Sequence, residues 1–265
     1  DTAQVGKGLM VLIDPASIRF EGYVAADRVG QVKVGNKVTF KVNGYSNQFF
    51  TGTVERINPL ANDYTQAYSN ATPSYLKSLF EDTLATHEHG HLQSSWTQGG
   101  FLSFISKIFA PTHILEIGSF TGFSALCLAE GLSSYGALHT IELRAEDAQK
   151  AKAAFDINPR SKQLHMHVGD AKEIIPTLQK KWDLVFIDAD KTSYIEYYNL
   201  VLPLLNDKGI MIVDNVLFHG EVLEESIKGK SAKAIQAFNE YVLLDQKTEQ
   251  VMLTIRDGLT LIRKK

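Results

Sequence analysis

The sequence predicts an α/β protein built on a doubly wound, mostly parallel sheet, with a small all-β segment in front of it. Beyond residue 58, short apolar runs typical of buried strands alternate with segments of helical periodicity, which favours parallel strands covered by helices on both faces. A glycine-containing turn follows the first of these runs, and acidic residues end several of the later ones. Doubly wound sheets bind their ligands at such carboxyl ends of strands.

Seven strands are expected in this sheet, over residues 113–117, 138–142, 164–168, 183–188, 209–214, 250–256 and 259–264. The last two flank Asp257-Gly258, a strong signal for a two-residue hairpin turn, so the sheet should end in an antiparallel pair. Thr72-Pro73 predicts the start of a helix, because proline suits the first helical position.

Composition restricts the functional classes only slightly. The chain has 265 residues, 44% of them hydrophobic, which is ordinary for a globular protein. A formal net charge of -3 provides no general attraction to nucleic acid or to an anionic membrane. The single cysteine, Cys127, cannot form an intramolecular disulfide and is expected to pack in the core. No apolar stretch approaches the roughly 18 to 20 residues of a membrane-spanning helix, so we expect no membrane span.

Two domains are expected, over residues 1–57 and 58–265. From about Val5 to Ile57, short runs rich in Val, Phe and Thr are punctuated by glycines, which predicts an all-β module. Helical signals begin beyond Asn58-Pro59. The junction near residues 54 to 60 is interpreted either as a natural fusion or as an accidental join.

Two acidic clusters each close an apolar run. Asp188 follows the run 184–187, and Asp214 with Asn215 follows the run 210–213. Two carboxylates and an amide oxygen are hard ligands. They favour Mg²⁺, or another divalent cation such as Mn²⁺ or Ca²⁺, over zinc. Asp188, Asp214 and Asn215 are therefore predicted to bind a divalent metal ion, with Lys191 beside them.

The turn after the first apolar run has the spacing Glu116-x-Gly118-x-x-x-Gly122, which indicates a strand turning through glycines into a helix. Glu142 ends the next strand, about where a carboxylate binds ribose hydroxyls in doubly wound sheets. Asp170 ends the third strand and is predicted to meet an adenine edge. The alternative is that these acids only cap the N-termini of helices.

The most specific segments are Leu115–Ser124, Val168–Ala171, Ile187–Lys191, Val213–Val216 and Ile255–Leu259. Through them, residues from about 60 to 265 resemble the class I methyltransferases that use S-adenosylmethionine. Within that class they resemble the metal-dependent catechol and caffeoyl-CoA O-methyltransferase family. The resemblance implies a Rossmann-like, seven-stranded methyltransferase sheet, a cytoplasmic enzyme and a homodimer.

The resemblance also implies roles for individual residues. Gly118 and Ser119 would approach the methionine part of the cofactor, Ser124 would bind its carboxylate, Glu142 its ribose, and Asp170 with Ala171 its adenine. Glu116, Gly122 and Asp188 complete the predicted cofactor-binding set. The family's metal ligands match Asp188, Asp214 and Asn215.

These assignments predict transfer of a methyl group to one hydroxyl of a catechol-like or caffeoyl-CoA-like aromatic acceptor. Three protein oxygens leave three octahedral positions, enough for two neighbouring hydroxyls and a water. Lys191 is predicted to accept the proton, with Asp188 as its catalytic neighbour. The alternative for Lys191 is a surface lysine paired with Asp190. In animal catechol methyltransferases a glutamate orients the second hydroxyl, and Val251 stands at the matching position here.

Other interpretations stay open at this stage. Some bacterial members of the family suggest a tRNA hydroxyuridine O-methyltransferase, at which Lys228, Lys230 and Lys233 only hint. Residues 6–57 resemble part of the β-barrel domain of periplasmic adaptor proteins, which suggests a catalytically inactive scaffold or binding protein. The motif His87-x-His89-x-His91 is expected to contact cofactor or substrate rather than a metal, and residues 217–222 are expected to form a lid.

Overall fold

The computed structural model describes residues 9–14, 17–21, 35–41, 49–54, 61–224 and 226–265. The chain divides into two compact units, residues 1–61 and 62–265. The division at residue 58 inferred from composition stays a prediction. Among the described residues, none of the helices has both the length and the apolar character needed to cross a membrane.

The first unit contains two antiparallel strand pairs. Strand β1 (Leu9–Asp14) pairs with β2 (Ser17–Glu21), and β3 (Lys37–Lys41) pairs with β4 (Phe49–Thr53). The expected β character is therefore present in the described part of this unit. The resemblance of residues 6–57 to an adaptor protein stays a prediction, and much of that segment lies outside the described residues.

The remainder of the chain forms the predicted seven-stranded sheet with helices on both faces. Its strands are β5 (His113–Ile117), β6 (Ala137–Glu142), β7 (Leu164–Val168), β8 (Trp182–Ile187), β9 (Leu205–Asp214), β10 (Thr248–Leu253) and β11 (Leu259–Lys264). The helices are α1 (Ala61–Ala67), α2 (Lys77–Thr86), α3 (Trp96–Phe109), α4 (Phe123–Ala129), α5 (Ala145–Asp156), α6 (Ala171–Thr177), α7 (Tyr194–Val201) and α8 (Lys230–Leu244). The strand order is β10-β11-β9-β8-β5-β6-β7, in which β10 and β11 are antiparallel to their neighbours.

Both faces of the sheet are buried, which explains its nearly continuous apolar strands. Leu115 and Ile117 of β5 pack in a cluster with residues of α6, α7 and α8. Ile114, which points to the opposite face, packs with residues of α3, α4 and α5. Cys127 of α4 is fully buried in this second cluster, as predicted.

The terminal hairpin differs from its prediction. Strand β10 ends at Leu253, and the last residue pair of the hairpin is Leu253 with Leu259, so five residues rather than two connect the strands. The left-handed backbone of Arg256 (φ 51°) interrupts the predicted strand 250–256. The carbonyl of Asp257 accepts a backbone hydrogen bond from Leu217, so contacts to a distant segment override the local turn signal.

A close contact joins the turn after β5 to the end of β8. Gly118 has φ +93°, and a Cβ atom added to it would lie 2.1 Å from the carbonyl oxygen of Asp188. Glycine is therefore required both by the backbone conformation and by the contact. As a result, the glycine turn lies directly against Asp188. Asp188, Asp214 and Asn215 are called the acidic cluster below.

A buried carboxyl group lies in the centre of the sheet. Glu116 of β5 is fully buried, and it accepts a hydrogen bond of 2.5 Å from Thr140, which faces it on β6. Burial raises the pKa of Glu116 to about 7; the charges of Asp188 and Glu142 add to this effect, and hydrogen bonds from Thr140 and Ser124 oppose it.

We expect Gly118→Ala to destabilise the protein far more than Gly220→Ala. Gly220 also has positive φ (+81°), but an added Cβ would meet no atom within 4 Å among the described residues. Gly220→Ala should therefore cost only the left-handed conformation, about 1 kcal/mol. Gly118→Ala must in addition displace the backbone at Asp188, at a further cost of about 1 to 3 kcal/mol. Denaturant unfolding measures both, and equal losses would contradict the close contact.

We expect Glu116 to make the free energy of unfolding depend on pH. Its pKa rises on folding, so its contribution to stability is present below about pH 4.5 and is lost as the pH rises towards 7. The contribution of Glu116 that is lost should be at most about 3 kcal/mol. Glu116→Gln should reduce the pH dependence of unfolding by this contribution. Urea unfolding from pH 4.5 to 7.5 measures the slope. Glu173→Gln, at an exposed acid of α6, is the control and should retain the wild-type slope.

Candidate active site

The carboxyl ends of the parallel strands meet at one edge of the sheet and border a cleft of about 700 Å³. Nine predicted site residues line this cleft: Gly118, Ser119, Ser124, Glu142, Asp170, Ala171, Asp188, Lys191 and Asn215. Glu116, Gly122 and Asp214 do not line it. Gly122 packs against α5, where a Cβ would meet Phe155 and Ala151. The structure therefore brings most of the predicted residues together and sets three of them behind the wall.

Glu142 holds the glycine turn in place. Its carboxylate accepts backbone hydrogen bonds from Phe120 (2.8 Å) and Arg144 (2.9 Å). Phe120 has a left-handed backbone (φ 48°), which such a contact helps to maintain. Glu142 thus fixes the turn while it lines the cleft.

Asp170 caps a helix and lines the cleft, whereas its predicted contact with adenine stays a prediction. Its side chain caps α6 by accepting a hydrogen bond of 2.8 Å from the backbone of Lys172, and it also lines the cleft. The capping interpretation is therefore correct for Asp170, and it does not exclude contact with a ligand.

Lys191 belongs to a partly enclosed network. Its Nζ lies 2.9 Å from Asp188 Oδ1 and 2.9 Å from the Tyr194 hydroxyl, and its side chain is only 16% exposed. Asp190 instead accepts hydrogen bonds from Tyr197 and Thr192. The alternative of a surface lysine paired with Asp190 is therefore wrong.

The charge state of Lys191 follows from these neighbours. Burial by itself lowers the pKa of the amine, but the Asp188 carboxylate and the Tyr194 hydroxyl outweigh it and hold the pKa above its ordinary value. The Tyr194 hydroxyl in turn donates to the backbone carbonyl of Asp214 (3.0 Å). Tyr194 thus connects the lysine to the end of β9.

Asp214 is fully buried beside this network. One carboxylate oxygen accepts a hydrogen bond of 2.6 Å from Gln98 Nε2, and the other accepts one of 2.6 Å from the backbone of Asn215. Burial, followed by repulsion from Asp188, raises the pKa of Asp214 to about 7, although the bond from Gln98 opposes the rise. Gln98 was missed in the sequence, where nothing marks an amide of α3 as a partner of a distant acid.

The far wall of the cleft comes from other segments. His91 and Leu92 line it, as do Phe218 and His219 of the segment expected to form a lid. That segment contains an irregular helical turn over Phe218–Leu223. Val251 lies on β10, is 52% exposed and does not line the cleft.

The three histidines of the motif have different surroundings. His91 lines the cleft. The side chain of His87 is only 8% exposed, and its Nε2 lies 2.7 Å from Asp147 of α5. The His87 ring also accepts a hydrogen bond of 3.0 Å from the backbone of His89, so Nε2 carries the proton and donates to Asp147. In the part of the chain that the structure describes, there is no cluster of three or more His, Cys, Asp or Glu residues that could hold a metal ion.

Known proteins resemble this chain in both sequence and fold. The O-methyltransferase family model matches residues 66–265. A probable caffeoyl-CoA O-methyltransferase of Dictyostelium discoideum is 30% identical over 234 residues, covering 80% of this chain and 99% of that protein. A catechol O-methyltransferase of Niastella koreensis is 32% identical over 146 residues, covering 54% of this chain and 66% of that protein.

Solved structures agree. An SAH-bound methyltransferase of Podospora anserina has a TM-score of 0.72 and 26% identity, covering 79% of this chain and 99% of that one. An O-methyltransferase of Bacillus cereus in complex with SAH has a TM-score of 0.65 and 26% identity, covering 76% of this chain and all of that one. Because the family model covers most of the chain, and a relative of 30% identity covers 80% of it, this chain belongs to the O-methyltransferase family and is an S-adenosylmethionine-dependent enzyme of the caffeoyl-CoA and catechol type.

Proposed function

We propose that this enzyme transfers a methyl group from S-adenosylmethionine to one of two neighbouring hydroxyls on an aromatic acceptor, with the help of a divalent cation such as Mg²⁺. The observation that carries the proposal is the position of Asp188, Asn215 and Lys191 in one cleft, with the buried Asp214 adjoining them. The names of the relatives, caffeoyl-CoA and catechol O-methyltransferases, support the acceptor class.

The residues at the ends of β8 and β9 fit a hard cation. Asp188 and Asp214 repel each other strongly enough to contribute to the raised pKa of Asp214. A divalent cation between two such carboxylates would relieve that repulsion. Asn215 Nδ2 donates to Asp257 (3.2 Å), which leaves its amide oxygen available for coordination. Asp188, Asp214 and Asn215 would thus hold the ion through oxygen ligands, as Mg²⁺ requires.

When bound, the cation would lower the pKa of an acceptor hydroxyl, and S-adenosylmethionine would supply the electrophilic methyl group. The chain positions the acceptor and the cofactor relative to each other. Gly118 contacts the end of β8 so closely that the cofactor turn and the acidic cluster form a single site. This fixed geometry favours an in-line arrangement of oxygen, methyl carbon and sulfur, which can lower the barrier by several kcal/mol.

Lys191 is the proposed general base. While Asp188 is not coordinated to a cation, its carboxylate keeps the Lys191 amine protonated, and the amine cannot accept a proton. Coordination of Asp188 would withdraw much of the charge that raises the pKa of Lys191, so burial would then favour the neutral amine. Tyr194, at 2.9 Å, keeps the amine directed at the acidic cluster in either state.

Among the sequence alternatives, the small aromatic acceptor is favoured over tRNA. Lys228, Lys230 and Lys233 are exposed, but none of them lines the cleft. An inactive scaffold is not retained, because the proposed metal ligands and base are all present. Cytoplasmic location and assembly as a homodimer stay part of this proposal and follow the resemblance alone.

We expect methyl transfer to a catechol to require a divalent cation and Asp214. Excess chelator should abolish turnover, and Asp214→Asn, which retains the shape of the side chain, should lower it at least about 100-fold. Transfer from radiolabelled S-adenosylmethionine measures turnover, and calorimetry checks that the variant still binds the cofactor. Asp156→Asn, at an exposed acid of α5, is the matched control. Wild-type turnover by Asp214→Asn, or in chelator, would refute the cation's role.

We expect Lys191→Met to lower kcat by about 10²- to 10⁴-fold at neutral pH, the usual contribution of a general base. The deficit should shrink as the pH rises, because the acceptor hydroxyl then ionises without help. Lys152→Met, at an exposed lysine paired with Asp156, is the control. A kcat near the wild-type value at neutral pH would show that the bound cation ionises the acceptor without Lys191.

A further inference from the structure

Arg256 is an exposed cationic residue that lines the cleft and has no role in the proposed reaction. We propose that Arg256 selects acceptors that bear an anionic group and holds that group while the two hydroxyls lie at the acidic cluster. The inference rests on the proposed function and specifies its substrate class: a catechol-like ring with a carboxylate or phosphate substituent. The reasons are the charge balance of the cleft, the attachment of Arg256 and its distance from Asp214.

The charge balance sets Arg256 apart from the other cations of the cleft wall. Lys191 pairs with Asp188, Arg144 pairs with Asp147 and Glu142, and Lys172 lies near Asp170 and Glu196. Arg256 donates from one guanidinium nitrogen to the carbonyl of His91 (3.1 Å), and within the described residues no carboxylate lies within 4 Å of it. Its charge is therefore available to a ligand.

Carboxylates also line the cleft, namely Glu142, Asp170, Asp188, Asp190 and Asp257. An anionic acceptor would be repelled by this wall unless a cation offset the repulsion near its charged end. A guanidinium can do so, because its planar array of N–H groups matches carboxylate and phosphate oxygens. The single bond to His91 leaves further N–H groups for this purpose.

The backbone beneath Arg256 is firmly attached to the proposed metal site. Asp257, which follows it, is buried and accepts hydrogen bonds from Asn215 Nδ2 (3.2 Å) and from the backbone of His219 (2.5 Å). Gly258 (φ +86°) fits against Leu217, where a Cβ would approach Cγ to 2.6 Å. The Arg256 side chain therefore starts from a fixed point beside Asn215.

The distance from this point suits a one-ring acceptor. Leu259 lies directly opposite Asp214 across β11 and β9, and Arg256 precedes Leu259 by three residues. The Cα atoms of Arg256 and Leu259 are therefore at most about 11 Å apart. The cross-strand step from Leu259 to Asp214 adds about 5.5 Å, so the Cα atoms of Arg256 and Asp214 are at most about 17 Å apart. Phe218 and Leu92 also line the cleft and offer apolar surface to an aromatic ring. A ring with its hydroxyls at the acidic cluster would thus place a substituent within reach of the guanidinium.

The test compares two acceptors of similar shape, 3,4-dihydroxybenzoate and neutral 3,4-dihydroxybenzyl alcohol. Calorimetry with the full chain, Mg²⁺ and S-adenosylhomocysteine gives the Kd of each, and methyl transfer gives each KM and kcat. The wild type should prefer the acid, and Arg256→Gln should reduce the ratio of the two Kd values about tenfold, mainly through KM. Arg256→Lys should restore part of the preference. Arg263→Gln, at an exposed residue of β11 paired with Glu249, should retain the whole preference.

A third acceptor, caffeoyl-CoA, distinguishes the two sources of negative charge. Weaker binding of dihydroxybenzoate to Arg256→Gln would identify a carboxylate on the ring side, and weaker binding of caffeoyl-CoA alone would identify a phosphate. If Arg256→Gln bound both dihydroxybenzoate and caffeoyl-CoA as tightly as the wild type does, or if the wild type preferred neither anion, the inference would be overturned while methyl transfer stayed intact. Failure of all acceptors to be methylated would instead refute the proposed function, and the Kd ratio would still decide the role of Arg256.

Discussion

The arrangement of the cleft depends on two like charges, Asp188 and Asp214, that end neighbouring strands. The burial of Asp214, followed by its repulsion from Asp188, raises the pKa of the Asp214 carboxyl to about 7. A protein without a ligand for these groups would gain stability by replacing one of them with an apolar residue. Instead, hydrogen bonds from Gln98 and Lys191 hold both acids in place. The fold thus maintains an electrostatic cost at the point where the proposed cation would remove it.

The surrounding contacts reduce the repulsion between Asp188 and Asp214 but do not remove it. Tyr194 joins Lys191 to the backbone of Asp214, so the ammonium is held between the two strand ends. On the other side, Gly118 lies against the end of β8 at a distance that excludes any side chain. The turn proposed to bind the cofactor and the acidic residues proposed to bind the acceptor's cation are therefore parts of one rigid edge of the sheet.

The sequence predicted those parts of the structure that local pattern determines. The bounds of β5, β7 and β11 agree with their predicted ranges because each is a short run in which at least half of the residues are apolar. The hairpin was wrong in length because Asp257 bonds to residues some forty positions away in the chain, which no local turn signal contains. Of the predicted site residues, Glu116 proved to be buried in the sheet rather than at the cleft. Gln98 and Arg256 were missed as site residues because their importance comes only from what the fold places beside them.

The loop that carries Arg256 separates the side chain that would face the acceptor from the strands that hold the acidic residues. Its backbone is fixed by Asp257 and Gly258. The side chain at position 256 is exposed, and its hydrogen bond within the described residues is to the carbonyl of His91. A change at this one position would alter the charge presented to an acceptor without disturbing the strands that hold Asp188 and Asp214. After a gene duplication, few substitutions in such a loop would suffice to change the acceptor, because Asp188, Asp214 and the strands that hold them would stay unchanged.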